Sequence, residues 1–251
     1  LTLVPSNWTL RDLREMGYHR LRKWGRGVNG ERFNPNRRSQ RWREKLLNGR
    51  DPESLLCIYV GRLANEKRID LLLETARTPG IALTIIGDGA LRDELQTRFA
   101  GTDTHFTGYL YGDDLAEAYA SADVFMFTGA NETFGQVVQE AMASGLPAII
   151  INQGGITDQV RHGVNGFICP PDPAAFADAA CTLRDQPGLR QRMATNARLF
   201  TEGHSWDGIM TELEGHYQEA IDLNARFDRL YPPDWRWNLL HWRHSISRRL
   251  N

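Results

Sequence analysis

Cysteine is scarce. The three in this 251-residue chain, Cys57, Cys169 and Cys181, have no Cys-x-x-Cys spacing, which argues against a disulfide framework and a zinc site. Each lies in an apolar stretch, where a free thiol behaves as a small buried hydrophobe of a reducing compartment. No run of about 18 apolar residues exists, so no transmembrane helix is expected. The opening Leu1-Thr2-Leu3-Val4-Pro5 has no charged segment and no initiator Met. That pattern predicts no signal peptide and a chain that starts inside a longer protein. There is no Asp-x-Asp pair to hold a metal on a diphosphate, no internal repeat and no low-complexity tract. A net excess of charge is also missing, since the formal sum is −1. The distribution is uneven, however. Residues 1–50 carry 13 Lys and Arg against 4 Asp and Glu, and residues 226–251 carry 6 Arg against 2 Asp. The middle is left with 11 basic and 25 acidic residues. Basic ends point to an anionic partner, whether nucleic acid, a phospholipid surface or a nucleotide, or else to solvated faces and a domain interface.

What is present from Leu55 onward is alternation. Aliphatic runs at 55–60, 81–86, 123–127 and 147–151, with weaker ones at 105–106 and 166–169, are followed by helical periodicity. The helical segments lie near 68–77, 90–99, 113–121, 135–144, 173–185, 188–201 and 206–225. This is an α/β pattern: a Rossmann-like parallel sheet with helices on both faces. Ligands bind beyond the carboxyl ends of such strands. Residues 1–50 are read as a strand (LTLVPS), a short helix from Asn7 to Gly17 capped by Ser6 or Asn7, and a linker. A lone strand cannot bury itself, so it is assigned to the end of a preceding, mostly absent amino-terminal domain. The expected organisation is 1–50 as that end plus linker, 51–222 as the nucleotide-binding domain, and 223–251 as a basic, Trp-rich tail.

Two stretches carry chemistry. In GRLANEKRID, Gly61 and Arg62 leave a strand end and Lys67 follows within one turn. A planar guanidinium and a point charge suit a diphosphate, though two surface cations would look the same. In NETFGQVVQEAMASGLP (131–147), a helix starting near Gly135 presents free N–H groups and a positive dipole end. Gly135, lacking Cβ, would let a phosphate approach, and Gln136 would present its N–H and amide. Glu132 precedes this helix and Glu140 lies just over a turn inside it. An acid beside a phosphate site makes sense when it accepts hydroxyls from a ribose or hexose diol. A two-carboxylate glycosidase reading is set aside, because both acids are expected near the cationic site rather than with divergent pKa values.

The same string resembles the E-x7-E element of the retaining glycosyltransferases of family 4, which have the GT-B fold. GRL-x3-K (61–67), IGDG (86–89), FTGYL (106–110), AYASADVF (118–125) and GG…GVNGFICPPD (154–172) follow in that family's order. The resemblance covers about residues 1–222. It is most similar to GDP-mannose-dependent α-mannosyltransferases that build glycolipids and to sulfolipid synthases that use UDP-sulfoquinovose. It implies the carboxyl-terminal donor half of a GT-B enzyme, transferring a hexosyl group with retention to a lipid or glycan acceptor, in particular a glycerolipid. It makes Arg62, Lys67 and Glu132 the catalytic residues: the cations on the donor diphosphate, the acid on the transferred sugar. Gly61, Gly87, Gly89, Leu110, Phe134, Gly135, Gln136 and Glu140 become donor-binding, with Glu140 on the ribose and the Leu110 backbone on the base. Asn29 stands where the linker often has Asp, and Gln136 where an aliphatic residue is common. Departing charge would be met by the cations and the helix end, so no metal or other cofactor and no nucleic-acid partner is expected. None of the seven histidines matches the one supplied by the family's amino-terminal domain, so the chain alone is expected to bind nucleotide without transferring sugar. The rival classes are a non-catalytic nucleotide-binding module and a GT-B enzyme of another reaction. The expected location is cytoplasmic. The tail, with Trp235, Trp237 and Trp242 among Arg, suits peripheral contact with a membrane or packing on the first domain, the latter being preferred.

Overall fold

Thr2–Val4 (β1) does not stand alone: it pairs in parallel with Leu21–Lys23 (β2) in the computed structural model of the chain, which describes residues 1–102 and 104–230. The sequence missed β2 because three residues between basic and aromatic neighbours give no alternation to read. Asn7–Glu15 (α1) joins the two, and Ser6 is its cap, its hydroxyl accepting from the N–H of Thr9 at 3.2 Å.

A second unexpected element is Gln40–Leu47 (α2). Ser39 caps it, Asn48 ends it in the left-handed region, and its buried Trp42, Leu46 and Leu47 join the main core. Val28 and Phe33 join the same core, so packing does not break at residue 50. Asp123 locks α2 down. It accepts from Arg43 Nη1 and from the backbone N–H of Leu56, each at 2.9 Å.

The main sheet contains Leu55–Val60 (β3), Ile81–Ile86 (β4), His105–Gly108 (β5), Val124–Phe127 (β6), Ala148–Ile151 (β7) and Gly166–Cys169 (β8). β3, β4, β6 and β7 are buried at every position, as aliphatic runs covered on both faces require. All pairings are parallel, in the order β5-β4-β3-β6-β7-β8. The order reverses between β3 and β6, and it is beyond the carboxyl ends at such a reversal that open α/β sheets bind ligands.

The expected helix at 68–77 is broken. A 3₁₀ turn at Asn65–Lys67 meets Arg68 in the left-handed region, a second turn spans Ile69–Leu72, and only Leu73–Arg77 (α3) is α-helical. The other helices lie where periodicity placed them: Arg92–Arg98 (α4), Gly112–Ser121 (α5), Gln136–Ala143 (α6), Pro173–Asp185 (α7), Pro187–Glu202 (α8) and Trp206–Leu230 (α9). α9 runs back across the small layer. Glu219 takes both Nε and Nη2 of Arg22, at 3.0 and 2.5 Å, and Trp24 Nε1 donates to the carbonyl of Ile209. The Trp-rich part of the tail, from 231 on, lies outside the described residues. No helix among the described residues is long and apolar enough to cross a membrane.

Candidate functional site

Beyond β3 the chain turns at Gly61, and backbone packing dictates that turn. A Cβ on Gly87, which adopts φ +142, would lie 1.9 Å from the carbonyl oxygen of Gly61; one on Gly89 would lie 2.4 Å from that of Leu63. The N–H of Leu63 donates to the Asp88 carbonyl at 2.9 Å, and that of Leu91 to the Leu63 carbonyl at 3.1 Å. The IGDG glycines, expected to line the nucleotide pocket, thus have a prior duty: they let one strand-end loop support the other. Leu110, half-buried after β5, packs on the core edge. Its neighbour Tyr109 donates to the Asp88 carbonyl at 2.9 Å, tying the third loop to the second.

The two cations of the first loop part company. Arg62 is exposed and bonds Glu66 Oε1 at 2.5 Å, four residues on. Lys67 turns inward. Its side chain is only 15% exposed, and its ammonium lies 5.6 Å from the centre of the Phe127 ring and forms an ion pair with Glu132. Phe127 stacks on Tyr59, 5.8 Å away, whose hydroxyl burial pushes to a higher pKa, with the charge of Glu132 adding. Thr128 holds the Lys67 turn from the β6 side by donating to its carbonyl at 2.6 Å. The fold thus brings Lys67 and Glu132, 65 residues apart in sequence, together at the reversal of strand order.

The loop from Glu132 to Gly135 is braced from behind. The carbonyl of Glu132 accepts from the Gly155 N–H at 2.6 Å, and Gln159 Nε2 donates to the carbonyl of Phe134 at 2.5 Å. Gly135 adopts φ +80, and a Cβ there would sit 2.3 Å from Ile156 Cγ2. The missing Cβ thus makes room for Ile156, a packing reason for this glycine beside the expected room for a phosphate. The Gln136 amide has a partner of its own in the chain. Its Nε2 donates to the Gly27 carbonyl at 3.0 Å, and Gln139 does the same to Arg26, so both side chains tie α6 to the segment after β2. The backbone N–H groups of Gly135 and Gln136 make no hydrogen bond among the described residues, which leaves the helix end able to receive an anion. Asn29 keeps an Asp-like turn, its Oδ1 accepting from Glu31 and Arg32.

Glu140 is not in the cationic setting expected for both acids. Burial pushes its carboxyl up to about 7, opposed by the Tyr119 hydroxyl at 3.4 Å. The two acids thus differ in setting, one paired with a cation and one desolvated, where both were expected beside the cations. No group of three His, Cys, Asp or Glu side chains gathers at a metal-binding distance among the described residues. Sequence reasoning passed over Tyr119, Thr128 and Gly155; of these only Tyr119 and Gly155 fall in matched motifs, the signal that was there to use.

The family described as glycosyl transferases group 1 matches residues 40–200. Sulfoquinovosyl transferase SQD2 of Arabidopsis thaliana is 40% identical over 230 residues, covering 88% of this chain and 45% of that protein. A GDP-mannose-dependent alpha-mannosyltransferase of Mycobacterium tuberculosis is 41% identical over 219 residues, covering 86% of this chain and 56% of that one. The chain spans about half the length of these curated relatives. Among solved structures, HepE of Anabaena in complex with UDP superposes with a TM-score of 0.78 at 21% identity, over 87% of this chain and 64% of that chain. At that identity the likeness is one of fold, and the fold is the Rossmann-like sheet of the GT-B glycosyltransferases.

Proposed function

The chain belongs to the glycosyl transferases group 1 family, and on that premise we propose that it binds the nucleoside diphosphate of a sugar donor beyond the carboxyl ends of β3 and β6. In the whole protein this serves transfer of a hexosyl group, with retention, to a lipid or glycan acceptor, in particular a glycerolipid. The observation that carries the reading is the meeting of Lys67 and Glu132 beside the N-terminus of α6. A cation, a row of backbone N–H groups and a carboxylate converge there. The diphosphate takes Lys67 and the helix end, and displaces Lys67 from its ion pair. Glu132 is then free to accept the hydroxyls of the sugar, while Glu140 takes the ribose. As the glycosidic bond breaks, negative charge grows on the departing diphosphate, where fixed donors stabilise the transition state more than the bound donor. Arg62, exposed and held by Glu66, contributes less than Lys67.

Two donor chemistries are supported by the names of similar relatives, GDP-mannose and a sulfoquinovosyl donor. The 251 residues by themselves are proposed to hold the donor half of the site, binding nucleotide without transferring sugar. Titration calorimetry with GDP, UDP and ADP, in EDTA, tests this and ranks the bases. At least one diphosphate is expected to bind better than its nucleoside. Lys67→Ala should remove a charged hydrogen bond, which is worth roughly 1.5–3 kcal/mol, tenfold or more in affinity. Failure of all three to bind the folded chain, or binding only after Mg²⁺ is added, would refute the proposed division of roles.

A further inference from the structure

We propose that Tyr119 is a positioning residue of the donor site: its buried hydroxyl engages one oxygen of Glu140 and leaves the other for the ribose diol. The inference rests on Glu140 being the ribose contact. Tyr119 belongs to the AYASADVF stretch, whose place in the chemistry is otherwise unassigned. It sits on the inner face of α5 and is wholly buried. Phe33 meets its ring edge-on, centroids 5.8 Å apart, and Phe125 tilts against it at 5.9 Å. A ring clamped this way has one direction for its hydroxyl, and that direction is the second turn of α6. There the oxygen lies 3.3 Å from the carbonyl of Val137 and 3.4 Å from Glu140 Oε2.

A buried phenol needs an acceptor, and the Val137 carbonyl alone would satisfy it. The carboxylate is the second acceptor on the same turn, and it gains two things. Its rotamer is held against the donor. Its charged form is favoured, because burial and the Glu140 charge keep the phenol protonated, well above its ordinary value. The hydroxyl opposes the burial that pushes the Glu140 carboxyl up to about 7. Asp113, Asp114 and Glu117 of α5 and Arg26 before α2 lie on segments packed against α6, yet burial and the Tyr119 hydroxyl alone account for the shift at Glu140. Arg198 of α8 reaches the far end of the helix, at the carbonyl of Ala143, 2.8 Å away. The facing strands β6 and β7 carry only apolar side chains. Glu140 Oε1 makes no hydrogen bond among the described residues. It is the oxygen left to accept an O–H from a ribose, which an ionised carboxylate does with both its lone pairs and a neutral acid does less well.

The test is calorimetry of the full chain with GDP, UDP and ADP and their 2′,3′-dideoxy forms, from about pH 6 to about pH 9. In the wild type, preference for the ribose form should rise with pH through about 7 as Glu140 ionises. Tyr119→Phe keeps the ring contacts and removes one oxygen. It should move that midpoint up by about one pH unit, so that ribose binding is roughly fivefold weaker at pH 7 and close to wild type at pH 9. A loss of equal size at every pH would assign Tyr119 to packing alone and overturn the inference, as would a profile superimposable on the wild type. Glu140→Gln separates the two layers of the reading. If it abolishes ribose preference while Tyr119→Phe changes nothing, only the role of Tyr119 falls. If Glu140→Gln keeps the preference, Glu140 is not the ribose contact and both fall.

Discussion

Glu140 is held in a setting that penalises its own charge. Its carboxyl titrates near 7 in the folded chain, against an ordinary value of 4.5, because it is buried. The stability associated with the neutral acid is fully present below the ordinary carboxylate range and is lost as pH rises through about 7. A gap of that size is worth on the order of 3 kcal/mol. Glu140→Gln should therefore raise the melting temperature by several degrees at pH 8, with the gain vanishing near pH 4, where the acid is neutral in both states. The same substitution should weaken nucleotide binding, as expected where a site retains an unfavourable group for its function. Thermal melts at the two pH values decide it. A substitution that destabilises at pH 8 would mean that the carboxylate is a structural partner and not a ligand contact held ready.

At the scale of elements, α6 is placed by what packs behind it. Gly135 is both left-handed and in contact with Ile156, and the turn at Gly155–Asp158 holds the preceding loop. Gly135→Ala should cost about 2 kcal/mol or more, from a non-glycine residue at φ +80 and from the steric overlap with Ile156. Ile156→Ala should cost about 2–5 kcal/mol as a cavity, since Ile156 is fully buried. The double substitution should cost less than the sum, because truncating Ile156 removes the overlap but not the backbone strain. Urea unfolding of the three variants measures this; strict additivity would show that the two residues do not press on each other. Periodicity and the Gly145-Leu146-Pro147 stop revealed α6 in the sequence. The packing reason for its first glycine was not legible, because Ile156 is 21 residues away and only the turn after β7 brings it there.

For the whole molecule, the question is where the folding unit begins. Trp42, Leu46 and Leu47 fill the same core as β3 and β4, and Arg43 reaches Asp123 at the start of β6. A chain beginning at residue 51 should therefore fail to unfold cooperatively, and Trp42→Ala in the intact chain should cost about 3–5 kcal/mol. An unchanged denaturant midpoint for residues 51–230 would make α2 peripheral. The helix was hard to read because only three of its eight residues are apolar and it lies in the most basic stretch of the chain. Its Ser39 cap, the Trp42–Leu46 spacing and the Asn48-Gly49 stop were present as signals.

The sequence by itself determined the parallel α/β sheet and the order of its elements, because aliphatic runs and helical periodicity are local patterns that burial enforces at each position. It also determined the glycine-bearing turns at the strand ends, where backbone must approach backbone. Tertiary structure alone decided the partners. Lys67 met Glu132 rather than Arg62, the Gln136 amide went to Gly27, and Glu140 was paired with the Tyr119 hydroxyl instead of a cation. Partner choice and desolvation depend on which side chains are brought into contact across the strand reversal and on how much water is excluded there. Both are properties of the packed assembly, and no spacing along the chain encodes either one.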